Sequence, residues 1–519
     1  MRIPRFKNCL LALLSGIMLG ASVNYLFFWL AWISLIPLFI ALEGKKPGES
    51  FITGLFTGIA SGAVCFQWMY PVTQRYTGEQ TPAGIFLIAL CAIYFSLFTG
   101  GFAYLYNFIA QRFSPKGKYN LVKYLLTACS LWIIFEWVRL KISMGMPWFL
   151  CDLSVTQTKC IYLIQLSPLT GALGISAVIV AINYLFFSAF QKKSIKLACY
   201  ALGLLGLNFV IGFIAVNFYS PEDVYSKKVV IISENIKAET RWSDKTGDSL
   251  AAIFFRLNSK ASSLKPDLIV WSESALPWTF SYDDALIHKA LSLTYESKAS
   301  HLIGMLTEST SEKGKVYNSV YSIEYDGKVS SRYDKKELLK FLEEPLFENS
   351  AVSVMLPFFA NTGYKNALRG DRRVPVSTPA GSAGILLCSE SLSPSATLEY
   401  AENGGVGFLV NMSNDAWFEN TELTDLHFYC CRLRAVENRK DIIINSNRGL
   451  SGFIDSKGEI LIKRNSDKPF TLSADIHPNL QTTPYSSSGN WIIFPSLIFV
   501  LINTKNKNTK NKNKKGTSA

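Results

Sequence analysis

The chain has 519 residues, a formal charge of +13, 49% hydrophobic residues and a mean hydropathy of +0.20, which is too long for one small domain and too apolar for an ordinary soluble enzyme. Its surplus base is gathered in a tail with six lysines between Lys505 and Lys515 and in short loops between apolar blocks. That is the positive-inside pattern of a membrane protein near anionic lipid, and it excludes nucleic acid as a partner.

Up to about Asn217 the apolar residues come in long blocks, and seven are read as spans over about 8–23, 25–43, 51–70, 82–108, 122–140, 166–190 and 196–217. The first is short and basic at its start (Arg2, Arg5, Lys7), which also fits a signal peptide. If all seven span, Lys45 and Lys46, Arg112 with Lys116 and Lys118, and Lys192 with Lys193 fall on the side of the N-terminus. The N-terminus is then cytoplasmic and the chain after the seventh span emerges outside. In the fifth span Glu136 and Arg139 lie three apart on one face, either as a functional intramembrane pair or as one that orients the helix.

From about 219 to 488 the pattern becomes that of an α/β domain. Strands are expected at 228–233, 267–271, 301–306, 316–324, 384–388, 406–411, 441–446, 450–455 and 459–463, and helices at 246–263, 282–298 and 422–439. Several strands lack alternation, as when both sheet faces are covered, so a layered sheet with outer helices is expected. After this domain, 489–503 reads as an eighth helix or an interfacial segment, and 504–519 as a lysine-rich cytoplasmic tail. The chain thus divides into 1–218, 219–488, 489–503 and 504–519.

Seven of the ten cysteines fall in the membrane half, with no CxxC, and the four histidines stand at no ligand spacing to one another. No metal or other cofactor is expected. Cys388 closes the apolar run "GILL" just where a polar turn begins, whereas a packing cysteine would sit inside the run. Glu273 follows "LIVWS" and Lys335 follows "SSRYD", so a carboxylate, an ammonium and a thiol stand at the ends of three strands. These are the parts of acyl transfer: a base for the thiol proton, a nucleophile, and a cation for the oxyanion. Each also has a plain reading: a buried small hydrophobe for Cys388, a cap or turn for Glu273, and a solvated charge run for Lys335.

Taken in order, "VWSESALPW", "SSRYDKKELLKFLEEP", "ILLCSESLSP" and "LVNMSNDAWF" resemble the four landmark stretches of the carbon–nitrogen hydrolase (nitrilase) superfamily. With the spans and "EWVRLKISMGMPW", the chain resembles the membrane-embedded apolipoprotein N-acyltransferase family over its full length. The resemblance implies a polytopic helical membrane domain joined to a four-layer αββα sandwich with a Glu-Lys-Cys triad. Carried over by position, Glu273 is the general base, Lys335 the oxyanion-side lysine and Cys388 the nucleophile. Glu343 then supports the triad, and Trp242 and Glu390 lie around the substrate pocket. The chain departs from the family pattern at 340–346 and at Ser389. Cys430 and Cys431 are read as core.

The implied partners are a phospholipid acyl donor, a diacylglyceryl lipoprotein whose α-amine accepts the chain, and membrane lipid, with the protein acting as a monomer at a bacterial plasma membrane. The Phe- and Leu-rich stretch 345–364 is expected either to face the bilayer or to pack as a core connection. Two rivals remain at this stage: a membrane-anchored amidase using water as acceptor, and a non-catalytic binding module.

Overall fold

The computed structural model describes residues 5–23, 27–77, 81–113, 119–142, 152–220, 225–339, 343 and 366–505. The 345–364 stretch and the tail from 506 therefore lie outside the described residues. Among the described residues of the first part, four helices are long and apolar enough to cross a membrane: Pro82–Ala110, Asn120–Ile142, Ala172–Lys192 and Ile195–Phe218. Pro47–Cys65 and Met69–Arg75, bent by 49°, form a fifth if taken as one span, and Phe6–Ser22 and Ile493–Thr504 are shorter apolar helices.

The stretch read as a second span is divided into a 3-10 turn, Phe28–Trp32, and a short helix, Ile36–Leu42. Pro37 stands in the first turn of that helix, where its missing N–H costs least, so the helix restarts there. Asn183 stitches the break from a neighbouring helix, accepting from Leu35 N (2.9 Å) and donating to Ala31 O (2.8 Å). Without a hydrophobic force between helices in lipid, close contact needs small residues. Gly54, Gly58 and Gly62, four apart, supply them: a Cβ on Gly58 would stand 2.3 Å from Ser96 Cα in the next helix.

The second part has two sheets. One has the order β13-β1-β2-β3-β4-β5, with β6 beside β4. Its strands are β1 (Lys227–Ser233), β2 (Leu268–Val270), β3 (Ser300–Glu308), β4 (Val316–Ile323), β5 (Val329–Asp334), β6 (Ala367–Leu368) and β13 (Phe470–Ile476). The other has the order β12-β11-β10-β9-β8-β7, from β7 (Val376–Thr378), β8 (Gly381–Leu387), β9 (Phe408–Asn414), β10 (Ile442–Asn447), β11 (Ser451–Ile454) and β12 (Ile460–Arg464). Val229, Ile231, Leu268 and Val270 of the first sheet share a buried core with Ile385, Leu387, Val410 and Met412 of the second. Helices Gly247–Ser262 and Ala285–Thr294 cover the outer face of the first sheet. Pro394–Glu402 and Glu422–Asn438 cover that of the second. The four-layer αββα arrangement is the one expected.

The last layer joins the two parts. Leu386, Leu409 and Ile444 of the second sheet, Leu426 and Leu433 of the covering helix, and Trp132 and Ile175 of the membrane helices belong to one continuous core. Charges are buried along the seam. Arg434 and Glu437 pair at 3.0 Å with neither exposed, and Glu437 accepts from Ala172 N (2.9 Å) at the start of a membrane helix. Arg432 donates to Thr158 O and Lys159 O (3.2 and 2.8 Å). Arg139 pairs with Asp152, and Glu136 accepts from Trp132 Nε1 (2.8 Å) and Leu153 N (3.0 Å). The two charges read as partners thus tie their helix to the 152–157 turn.

Removing one half of a buried ion pair leaves a costly charge behind. Glu437→Ala is therefore expected to destabilise the protein by about 3–5 kcal/mol, read as a fall in the melting temperature of the detergent-purified full chain.

Candidate active site

Three chain segments converge where strands of the two sheets end. After β2, Ser274 takes a left-handed backbone (φ 49°), and the 272–274 turn lies flat on β3. Gly304 of β3 permits that approach, because a Cβ there would stand 2.6 Å from both Ser272 O and Ser274 N. This turn aims Glu273 inward. At the end of β5, Lys335 N donates to Asn318 O and Lys335 O accepts from Gly370 N, both at 2.8 Å. The backbone is fixed on both sides. Lys335 Nζ, 1% exposed, lies 3.0 Å from Glu273 Oε1 and 2.8 Å from Glu343 Oε1. Glu273 also accepts from Asn318 Nδ2 (2.9 Å) and Asn414 N (3.1 Å), and Glu343 from Leu339 N (2.8 Å).

Cys388 stands one residue past the end of β8, the first residue of a 3-10 turn, half-buried and left-handed (φ 51°). For a residue with a Cβ this backbone costs on the order of 1–3 kcal/mol and persists only where neighbours enforce it. Here its carbonyl accepts from His427 Nε2 (2.8 Å), Ser391 Oγ (3.1 Å) and Asn411 Nδ2 (3.3 Å).

Burial pushes the Cys388 thiol well above its ordinary range; Glu273, Asp415 and Glu343 push the same way, and Lys335 opposes them. Burial also raises Glu273, against the pull of Lys335. Burial by itself would lower Lys335, but the charges of Glu273, Glu343 and Cys388 hold it well above the usual lysine value. The resting site is therefore a neutral thiol beside a firmly charged ammonium. Such an arrangement can pass a thiol proton to a carboxylate as the sulfur attacks, with a cation ready for the oxyanion.

Residues 15–185 match the family described as "Apolipoprotein N-acyltransferase N-terminal domain", and residues 227–485 match "Carbon-nitrogen hydrolase". A relative named apolipoprotein N-acyltransferase from Geobacter metallireducens is 30% identical over 471 residues, 88% of this chain and 87% of its own. The chain belongs to the apolipoprotein N-acyltransferase family. A Vibrio parahaemolyticus relative of the same name is 26% identical over 93% of this chain and 94% of its own. A carbon-nitrogen hydrolase structure from Helicobacter pylori covers 53% of this chain and 94% of its own at 18% identity and a TM-score of 0.36.

Of the residues the apolipoprotein N-acyltransferase resemblance singles out, the structure gathers Glu273, Lys335, Glu343 and Cys388 and sets two apart. Glu390 is wholly buried. Its oxygens accept from Tyr333 Oη, Lys336 N, Glu337 N, Arg373 Nη2 and Leu387 N, all within 3.0 Å. It ties the turn after β8 to the segment after β5. Trp242 is half-buried and packs on Phe254 (6.0 Å between ring centres) and Trp278 (5.0 Å), on the outer side of the first sheet. The sequence reading missed Asn318, Asn411, Asn414, Asp415 and His427. His427 had a signal: it is the only histidine in the predicted 422–439 helix.

Glu234, at the end of β1, is a further buried carboxyl. One of its oxygens accepts from Ser272 Oγ, and burial pushes it up to about 7 from 4.5. Its contribution to stability is present below about pH 4.5 and lost as pH rises to about 7, on the order of 3 kcal/mol for a shift of that size. Glu234→Gln is expected to melt above the wild type at pH 8 and to lose that advantage at pH 4.5, measured by thermal unfolding at the two pH values.

Proposed function

We propose that this protein transfers a fatty acyl chain from a phospholipid to the α-amino group of the N-terminal diacylglyceryl-cysteine of apolipoproteins, through a thioester on Cys388. Glu273 takes the thiol proton as Sγ attacks the ester carbonyl, and Lys335 stabilises the oxyanion. The protonated Glu273 then gives its proton to the departing lysophospholipid alkoxide. In the second half the lipoprotein amine attacks the thioester, Glu273 takes a proton from the nitrogen, and the sulfur leaves and is reprotonated. Glu343 holds Lys335 from its other side, and Trp242 and Glu390 shape the surroundings from behind.

The observation that carries this reading is the buried Lys335 ammonium held at 3.0 Å from Glu273 and 2.8 Å from Glu343. The core shared between the second sheet and the membrane helices favours transfer between two lipids over hydrolysis of a soluble amide. Fixing two bilayer-bound reactants beside one sulfur is worth on the order of 7–11 kcal/mol of barrier, more than one hydrogen bond supplies. In this reading 1–218 is a seven-span membrane domain, 219–488 the catalytic domain outside the plasma membrane, 489–503 an eighth helix, and 504–519 a cytoplasmic tail, as is the N-terminus. The protein acts as a monomer and uses no cofactor.

Intact-mass measurement after incubation with phospholipid tests it. Wild type is expected to gain the mass of one acyl chain and Cys388→Ala none. Glu273→Gln is expected to acylate at least about 100-fold more slowly while still folded. An adduct persisting on Cys388→Ala would remove the sulfur from its role.

A further inference from the structure

His427 is buried in the Glu422–Asn438 helix, whose outer side packs against the membrane part. Its Nε2 lies 2.8 Å from the Cys388 carbonyl oxygen and its Nδ1 3.3 Å from Asp415 Oδ1. A carbonyl and a carboxylate only accept. A neutral imidazole carries one N–H, so only the imidazolium donates to both. Asp415 is in turn fixed by Ser446 Oγ (2.7 Å on Oδ2) and by its own N–H to Asn447 O (2.9 Å). Gly449 leaves room for it, since a Cβ there would stand 2.4 Å from Asp415 Oδ2. From the membrane side, Arg75 clamps the loop that follows, donating to Trp417 O (3.2 Å) and Glu419 O (3.0 Å).

We propose that His427 is a positioning residue for the nucleophile: its imidazolium, clamped between Asp415 and the Cys388 carbonyl, holds the left-handed backbone of Cys388 and offsets the negative charge that Asp415 turns toward the sulfur. This rests on the reading of Cys388 as nucleophile. The groups that face the ring are Asp415 from the end of β9, Glu273 from the end of β2 and Cys388 from the end of β8. Lys335 and Glu343 act on the same sulfur. On its own helix Cys430 and Cys431 are fully buried and kept protonated. Burial opposes charge on His427, but Asp415 and the Cys388 carbonyl outweigh it and raise its pKa above the ordinary value. The imidazolium is therefore complete at acid pH and is lost as pH rises through that raised value.

The test uses the full chain in detergent, with His427→Gln and His427→Leu. His427→Leu is expected to slow acylation by phospholipid about 10–100-fold, the loss of a charge-assisted hydrogen bond. His427→Gln keeps a donor without the charge and is expected to recover part of that rate. The second readout is alkylation of Cys388 by iodoacetamide, followed on its peptide by mass. Wild type is expected to alkylate about 10-fold faster than His427→Gln at pH 6, with the two converging by pH 9. A ratio that stays constant across pH, or no difference at all, overturns the proposal, because a merely structural filler moves every pH alike. Should His427→Leu fail to fold, the glutamine arm decides. Alkylation needs no acyl transfer, so a failure of the nucleophile reading, seen as no adduct on wild type, stays separate from a failure of this one.

Discussion

A single ammonium shared by two carboxylates in a dry site sets the terms for the rest of the molecule. Lys335, Glu273 and Glu343 each carry a desolvation penalty that only close partners offset. Their side chains must therefore be held to within a few tenths of an ångström by groups that cannot move. Asn318 and the Asn414 N–H do this for Glu273, and the Leu339 N–H for Glu343. Asn318 belongs to the first sheet and Asn414 to the second, so the charge cluster is also the point at which the two sheets are registered against each other. A sandwich whose sheets slid past each other by one residue would take the Asn414 N–H away from Glu273 and leave that buried carboxylate short of a partner.

The same logic governs the proposed nucleophile. Two carboxylates against one ammonium leave no spare positive charge for a resting thiolate, and the sulfur keeps its proton. Chemistry then depends on a proton leaving as the new bond forms, which rewards exact placement over a permanently activated sulfur. The left-handed backbone at Cys388 supplies placement, and three side chains on one carbonyl enforce it. Glu390 works from below by binding N–H groups on both sides of the site, which gives a buried carboxylate two residues past the sulfur a part in placing it.

Cys388, Glu273 and Lys335 were each singled out as a polar residue at the end of a strand, but for Lys335 that pattern sits inside a run of charges. Its neighbour Lys336 pairs near the surface with Glu399, and only the fold separates the buried lysine from the half-exposed one. That distinction came from resemblance. His427, the one histidine of its helix, and Asp415 acquire their meaning through each other, across strands and a helix, which no local pattern shows. β13 and β7 were missed for simpler reasons: "FTLSADI" mixes polar with apolar residues beside an antiparallel partner, and "VST" is three residues long. The 25–43 block reads as one span by hydropathy because hydropathy does not register where Pro37 forces a helix to restart.

The seam between the two parts explains one more feature that pattern reading could not. The Glu422–Asn438 helix carries arginines, a glutamate and a histidine at positions an exposed amphipathic helix would turn to water, yet past its first turn it is buried on every side. One side covers the second sheet and the other lies on the membrane helices, so its charged residues have protein partners in both directions: Cys388 and Asp415 above, Ala172, Thr158 and Lys159 below. A charge pattern that looks like a solvated face is here the stitching of an interface. Because His427 and Glu437 sit on one rigid helix three turns apart, any tilt of the catalytic sandwich on its membrane base would be felt at the sulfur. Sound docking on the bilayer helices is then part of the geometry of the proposed reaction, and not only a means of keeping the enzyme near its lipids.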